Sequence, residues 1–128
     1  MKGNSKLFGI TKNKEFPSGI TESQKKRIQD GYRKINDHIS DKDIEGAKRD
    51  INGNPITNKF GIPFQHFKEV DDAINGLIKE RDSLIKSLSN PNLSQDVVDL
   101  IKKAIKDFDK KIIQWGKIKK GSKIWKKH

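Results

Sequence analysis

The run Pro63-Phe64-Gln65-His66-Phe67-Lys68-Glu69 holds the clearest chemical potential in the sequence. His66 and Glu69 stand at i and i+3, so on a helix they share a face. Imidazole has the unperturbed pKa nearest neutrality and is the usual proton shuttle. A carboxylate one turn away can hold the ring or serve as its partner base. Pro63 suits the first turn of a helix, and a helix N-terminus presents free backbone N–H groups to anions. Imidazole, carboxylate and anion site together suit phosphodiester chemistry. In ribonuclease cleavage the 2′-OH attacks the adjacent phosphorus while one group removes its proton and another protonates the leaving 5′-oxygen. That chemistry needs no metal and no cofactor. On spacing alone, two other readings stay open: an exposed pair with no role, and a metal site completed by a third carboxylate.

The elements that would position this pair follow from hydrophobic spacing. Thr21-Glu22-Ser23-Gln24 has capping-box spacing, and Ile28, Tyr32, Ile35 and Ile39 form one helical stripe, so a first helix is expected over about 22–39. Ser40-Asp41-Lys42-Asp43 is a second start signal, with acids where the helix dipole favours them. Ile44, Ala47 and Ile51 then give a short second helix. Residues 52–63 hold two Gly, two Pro and three Asn, a loop composition. Phe67, Val70, Ile74, Leu77, Leu84 and Leu88 give a long third helix over 64–89, with Arg81 breaking the seam once. After Asn90-Pro91-Asn92, Ser94 can cap a fourth helix, and Val98 to Trp115 carry its stripe over 95–115. The short turn makes helices three and four an antiparallel hairpin. No segment has a clear period-2 strand pattern. The expected class is all-α, with an irregular leader over 1–20, a helical domain over 21–116 and a basic tail over 117–128.

Charge narrows the partners. The chain has 128 residues and a formal charge of +11, from 28 Lys plus Arg against 17 Asp plus Glu. Residues 1–100 are near balance at +2, and residues 101–128 carry +9. Such a block attracts phosphate chains by counterion release. Trp115, Ile118, Ile124 and Trp125 are interleaved with its lysines and can either stack bases or close a helical core; core closure is preferred for Trp115. A solvated tail and a membrane-surface helix are the alternatives. Cysteine is absent, which excludes disulfide scaffolds, zinc fingers and thiol nucleophiles. No apolar run reaches the ~20 residues of a transmembrane helix, and no secretory core follows the basic start.

The run Asp43 to Asp50, then Gly53-Asn54-Pro55, Gly61 and Phe64-Gln65-His66-Phe67-Lys68-Glu69-Val70, resembles the type 28 polymorphic toxin family. Ala73, Leu77, the Asn90-Pro91-Asn92-Leu93-Ser94 turn and the fourth helix extend the resemblance over roughly 21–115. These are C-terminal ribonuclease domains of contact-dependent growth inhibition proteins and related effectors. The resemblance implies a helical domain that cleaves RNA, with tRNA the expected substrate, and a cognate immunity protein as partner. It also implies delivery from a larger effector into the cytoplasm of a target cell. By motif the family's acid, aromatic, His and Glu fall on Asp43, Phe64, His66 and Glu69. Phe64 stands where Trp is common, keeping a stacking face without an indole N–H. Lys42, Lys48, Arg49 and Lys68 flank these acids and are candidates for binding substrate phosphate. Asp50 is expected to brace the 52–63 loop. Tyr32 and His38 border the region, with core packing favoured for Tyr32. A non-enzymatic basic helical module that binds RNA or DNA is the competing reading, and a helical interaction domain with a solubilising tail is a third.

Overall fold

A computed structural model describes residues 16–51 and 66–121 of the chain. Four α-helices make up most of them: α1 (Glu22–His38), α2 (Asp41–Ile51), α3 (His66–Ser87) and α4 (Gln95–Lys120). The domain is all-α, with no strand among the described residues. The first fifteen residues of the leader expected over 1–20, the loop over 52–63, Phe64, and the end of the tail over 122–128 lie outside the described residues.

Three of the four starts are written locally. At α1 the Thr21 hydroxyl accepts from the Gln24 backbone N–H at 3.0 Å, and the Gln24 side chain accepts from Thr21 N–H at 2.9 Å. This reciprocal capping box satisfies two backbone donors that a helix leaves free. Ser40 and Asp43 repeat the device at α2. Asp43 Oδ2 accepts from Ser40 N–H at 3.0 Å and from the Ser40 hydroxyl at 2.7 Å. Ser94 caps α4 by accepting from Val97 N–H.

Helices α1, α3 and α4 pack side by side. The antiparallel α3–α4 hairpin is fixed along its length by Arg81 to Asp109 near one end and Trp115 to Asp71 near the other. Arg81 thus leaves the apolar seam to make an ion pair with the neighbouring helix. Helix α1 lies against both. Its Arg27 and Lys34 donate to the two oxygens of Glu80, a buried carboxylate on α3. Its Gly31 faces the Phe108 ring of α4, where a Cβ would overlap the ring. Any larger residue would push these two helices apart. Tyr32 packs edge-on against Phe108 at 5.3 Å and donates to Asp107 at 2.6 Å. Burial, then the bond to Asp107, hold its phenol protonated well above the usual range. Tyr32 is a core residue.

The core contains Ile28, Ile39, Leu77, Leu84, Ile101 and Phe108, all fully buried, and Trp115 closes it at the end nearest the start of α3. Helix α4 runs to Lys120, five residues beyond the expected end at 115. Ile118 still packs on the core, and Lys119 donates to Asp71 at 2.9 Å. The first residues expected in a basic tail are therefore the last turn of a helix. Helix α2 packs against the N-terminal part of α3, and it is there that His66 lies.

Candidate functional site

His66 begins α3 with its imidazole resting on Gly46 of α2. A Cβ built on Gly46 would come within 2.7 Å of His66 Cδ2, 2.8 Å of Cγ and 3.2 Å of Nε2. Gly46 is buried and helical, so its role is to admit the ring rather than to turn the chain. One turn further along the same face of α2 stands Asp50. Its Oδ2 accepts from the Phe67 backbone N–H at 3.0 Å. That bond caps the start of α3 from a neighbouring helix. Its Oδ1 lies 3.8 Å from His66 Nδ1, at ion-pair distance and too far for a hydrogen bond. Both of these atoms are shielded from solvent. One carboxylate thus faces both the first turn of α3 and the imidazole that opens it.

Asp43, Gly46 and Asp50 are spaced i, i+3 and i+7, so all three share the α2 face on which the ring rests. Asp43 is half-buried, and its Oδ2 is engaged by Ser40 in the α2 cap. The carboxylate that the fold sets directly against His66 is Asp50, seven residues from the expected acid. Within the described residues Asp50 braces the start of α3; the loop it was expected to brace lies outside them. Glu69 is exposed one turn beyond His66. Lys42, Lys48 and Arg49 are exposed on α2. Lys48 approaches Glu45 at 3.6 Å, and Lys68 pairs with Asp72 at 2.9 Å. Such exposed pairs open readily, because they are worth about 1 kcal/mol or less. Phe64 lies outside the described residues. No group of three His, Asp or Glu gathers as a metal site among the described residues.

The neighbouring wall is rigid. Phe67, adjacent to His66, packs on Trp115 with ring centroids 5.2 Å apart. Trp115 Nε1 and Lys119 Nζ both donate to Asp71 Oδ1 at 2.9 Å. Burial pushes the Asp71 carboxyl upward, but these two hydrogen bonds and the charges of Lys119 and Lys68 outweigh it and hold its pKa below the usual carboxylate value. The imidazole is therefore fixed by Gly46 beneath it, Asp50 at its Nδ1 side, and a packed aromatic pair behind its neighbour. No described helix is long and apolar enough to cross a membrane.

Sequence reasoning missed Gly46 and the pairing of Asp50 with His66. A signal for both was present: a glycine inside a short helix, flanked by Asp at i−3 and i+4, marks a face that something approaches closely.

The chain is similar to the tRNA nuclease CdiA of Escherichia coli O6:K15:H31 (strain 536 / UPEC), at 24% identity over 102 residues. That alignment covers 75% of this chain and 3% of the relative, so the chain corresponds to a small part of a far longer protein. No solved structure matches the chain significantly. The family description Bacterial toxin 28 matches residues 19–120, all four helices included, and the chain belongs to that family.

Proposed function

We propose that this chain is the toxic ribonuclease domain of a larger delivered effector, and that it cleaves tRNA by transphosphorylation centred on His66. The observation that carries the reading is the His66–Asp50 arrangement at the start of α3, on a glycine that only this close approach requires. Membership of a bacterial toxin family and similarity to a protein named tRNA nuclease support the substrate class.

The chemistry follows from the groups at hand. Nδ1 is the ring nitrogen turned to Asp50, so a proton on Nδ1 is favoured by the carboxylate, as in other Asp–His pairs. We assign proton exchange with the substrate to Nε2. Asp50 also stabilises the imidazolium that forms when Nε2 takes a proton. The 3.8 Å separation is longer than a hydrogen bond, as such contacts often are before substrate tightens them. His66 and Glu69 divide the two proton transfers. One takes the proton of the attacking 2′-OH, and the other protonates the 5′-oxygen as its bond to phosphorus breaks. The products are a 2′,3′-cyclic phosphate and a 5′-hydroxyl, with no metal or cofactor in the scheme. Asp43 polarises the α2 face, Phe64 offers a stacking surface, and Lys42, Lys48, Arg49 and Lys68 supply charge to substrate phosphates. Neutralisation by a cognate immunity protein and action in the target-cell cytoplasm complete the reading.

Expression in a bacterial host tests it. Intact tRNA should disappear, and co-expression of a neighbouring candidate immunity gene should restore it. Toxicity with tRNA left whole would contradict the assignment.

A further inference from the structure

Helix α4 carries eight lysines between Lys102 and Lys120, and only part of that charge is compensated. Lys103 pairs with Asp107, Lys111 with Asp41 and Lys119 with Asp71. The two acids of this segment are also engaged elsewhere, Asp107 by Tyr32 and Asp109 by Arg81. Lys106, Lys110 and Lys117 have no ion-pair partner among the described residues. With Ile113 they are spaced four, three and four residues apart, so they form one stripe along the helix. The rise of ~1.5 Å per residue gives this stripe a length of about 16 Å.

The middle of the stripe is a groove. Lys110, Ile113, Gln114, Lys117 and Ile118 of α4 line one side, Lys48 of α2 faces them, and the cavity measures about 450 Å³. Ile113 is the most exposed large apolar side chain described, at 57%. Lys110 and Lys117 flank an exposed isoleucine with no carboxylate partner among the described residues, and Lys48, which approaches Glu45 at 3.6 Å, adds a third like charge. Lysines that merely keep a protein soluble need no groove and no apolar floor. A polyanion with an apolar face satisfies both features: phosphates meet the lysines, and a ribose or base covers Ile113 and Ile118.

We propose that the α2–α4 groove is the track for the RNA phosphate backbone, holding the strand on the flank of α2 opposite to His66. Helical spacing puts Lys48 on that flank, while Gly46 and Asp50 carry the imidazole on the other. The strand therefore reaches the chemistry by passing around α2. This inference deepens the ribonuclease reading and rests on it for the choice of RNA.

The test measures binding of unfractionated tRNA across a salt series, in the slow-cleaving His66→Ala background. One variant combines Lys48→Gln, Lys110→Gln and Lys117→Gln. The other combines Lys26→Gln, Arg33→Gln and Lys103→Gln, three exposed cations of α1 and α4 that remove the same charge away from the groove. Each neutralised phosphate contributes about 0.7–0.9 to the slope of log K against log salt, so the groove variant should lose roughly two to three units. It should also bind at least tenfold more weakly at moderate salt. The control should lose less than one unit. Equal losses in the two variants, or an unchanged slope in the groove variant, would overturn the proposal. So would groove-dependent capture of poly-glutamate with tRNA binding untouched, since that assigns the surface to an acidic protein. Groove-dependent tRNA binding by a protein whose wild-type form cleaves no RNA would remove the ribonuclease reading and leave the groove standing.

Discussion

Gly46→Ala separates the role of His66 from the stability of the fold. The new Cβ would stand 2.7–3.2 Å from three atoms of the imidazole, against ordinary carbon contacts of about 3.5–4.0 Å. The ring must therefore move by ~0.8 Å or more, because the obstacle belongs to helix backbone on one side and to the packed start of α3 on the other. Two stability effects oppose each other. Alanine in a helix interior gains about 0.5–1 kcal/mol over glycine, and overpacking costs about 1–3 kcal/mol. The net loss is at most about 2.5 kcal/mol, which leaves a domain of this size folded at room temperature. Catalysis has no such compensation, since a misplacement of about 1 Å can cost 10²-fold. The expectation is a folded, helical protein whose initial rate of tRNA cleavage falls roughly 100-fold. Gly116→Ala is the control: nothing lies within 4 Å of its Cβ, so stability should hold or rise with the cleavage rate unchanged. Wild-type cleavage by a folded Gly46→Ala protein would refute the claim that this glycine positions the imidazole.

Three further outcomes follow from the same contacts. Asp50→Asn keeps an oxygen for the Phe67 N–H but removes the charge beside His66, so cleavage should fall by at least tenfold while the melting temperature stays within a few degrees; Asp50→Ala should add a loss of about 1 kcal/mol from the missing cap. The Asp71 carboxyl has a folded pKa below its ordinary value of 3.8, so its stabilisation is present above that pH and is lost as pH falls through the folded value; acid melts of Asp71→Asn should show a shallower loss of stability below pH 4 than wild type. Ending the chain at Gly116 rather than Gly121 removes Ile118 and the Lys119–Asp71 bond, so the shorter protein should be less stable by about 1–3 kcal/mol in urea, whereas a freely solvated tail would leave the midpoint unchanged.

The helices are legible in the sequence because their signals are local. Thr21-Glu22-Ser23-Gln24 and Ser40-Asp41-Lys42-Asp43 state two starts outright, and the 3–4 apolar spacing carries α3 and α4 between turns. Helix α4 outruns its apparent end for a reason the local pattern does not hold. Gly116 and Lys117 interrupt the stripe, and Lys117, Lys119 and Lys120 look like a solvated tail. What extends the helix is a partner for Lys119, and that partner is Asp71, 48 residues earlier. The pairing of His66 with Asp50 is hidden in the same way. It joins residues on opposite sides of the 52–63 segment, and only the packing of α2 on α3 brings them together. Arg81 breaks the apolar seam in the sequence, and it and its neighbour Glu80 each prove to hold an interhelical ion pair, with Asp109 and with Arg27 and Lys34 respectively. Types and spacing expose the His and Glu; which acid meets the imidazole depends on tertiary contact.

The chemical identity of the RNA ends tests His66-centred transphosphorylation most directly. Purified protein is incubated with tRNA in EDTA, beside a His66→Ala variant shown by circular dichroism to be helical. The expected products are fragments that end in a 2′,3′-cyclic phosphate with 5′-hydroxyl partners, and the rate should be lower by roughly 10²–10⁴ for His66→Ala. Equal cleavage by the folded variant, or fragments ending in a free 3′-hydroxyl, would contradict this mechanism.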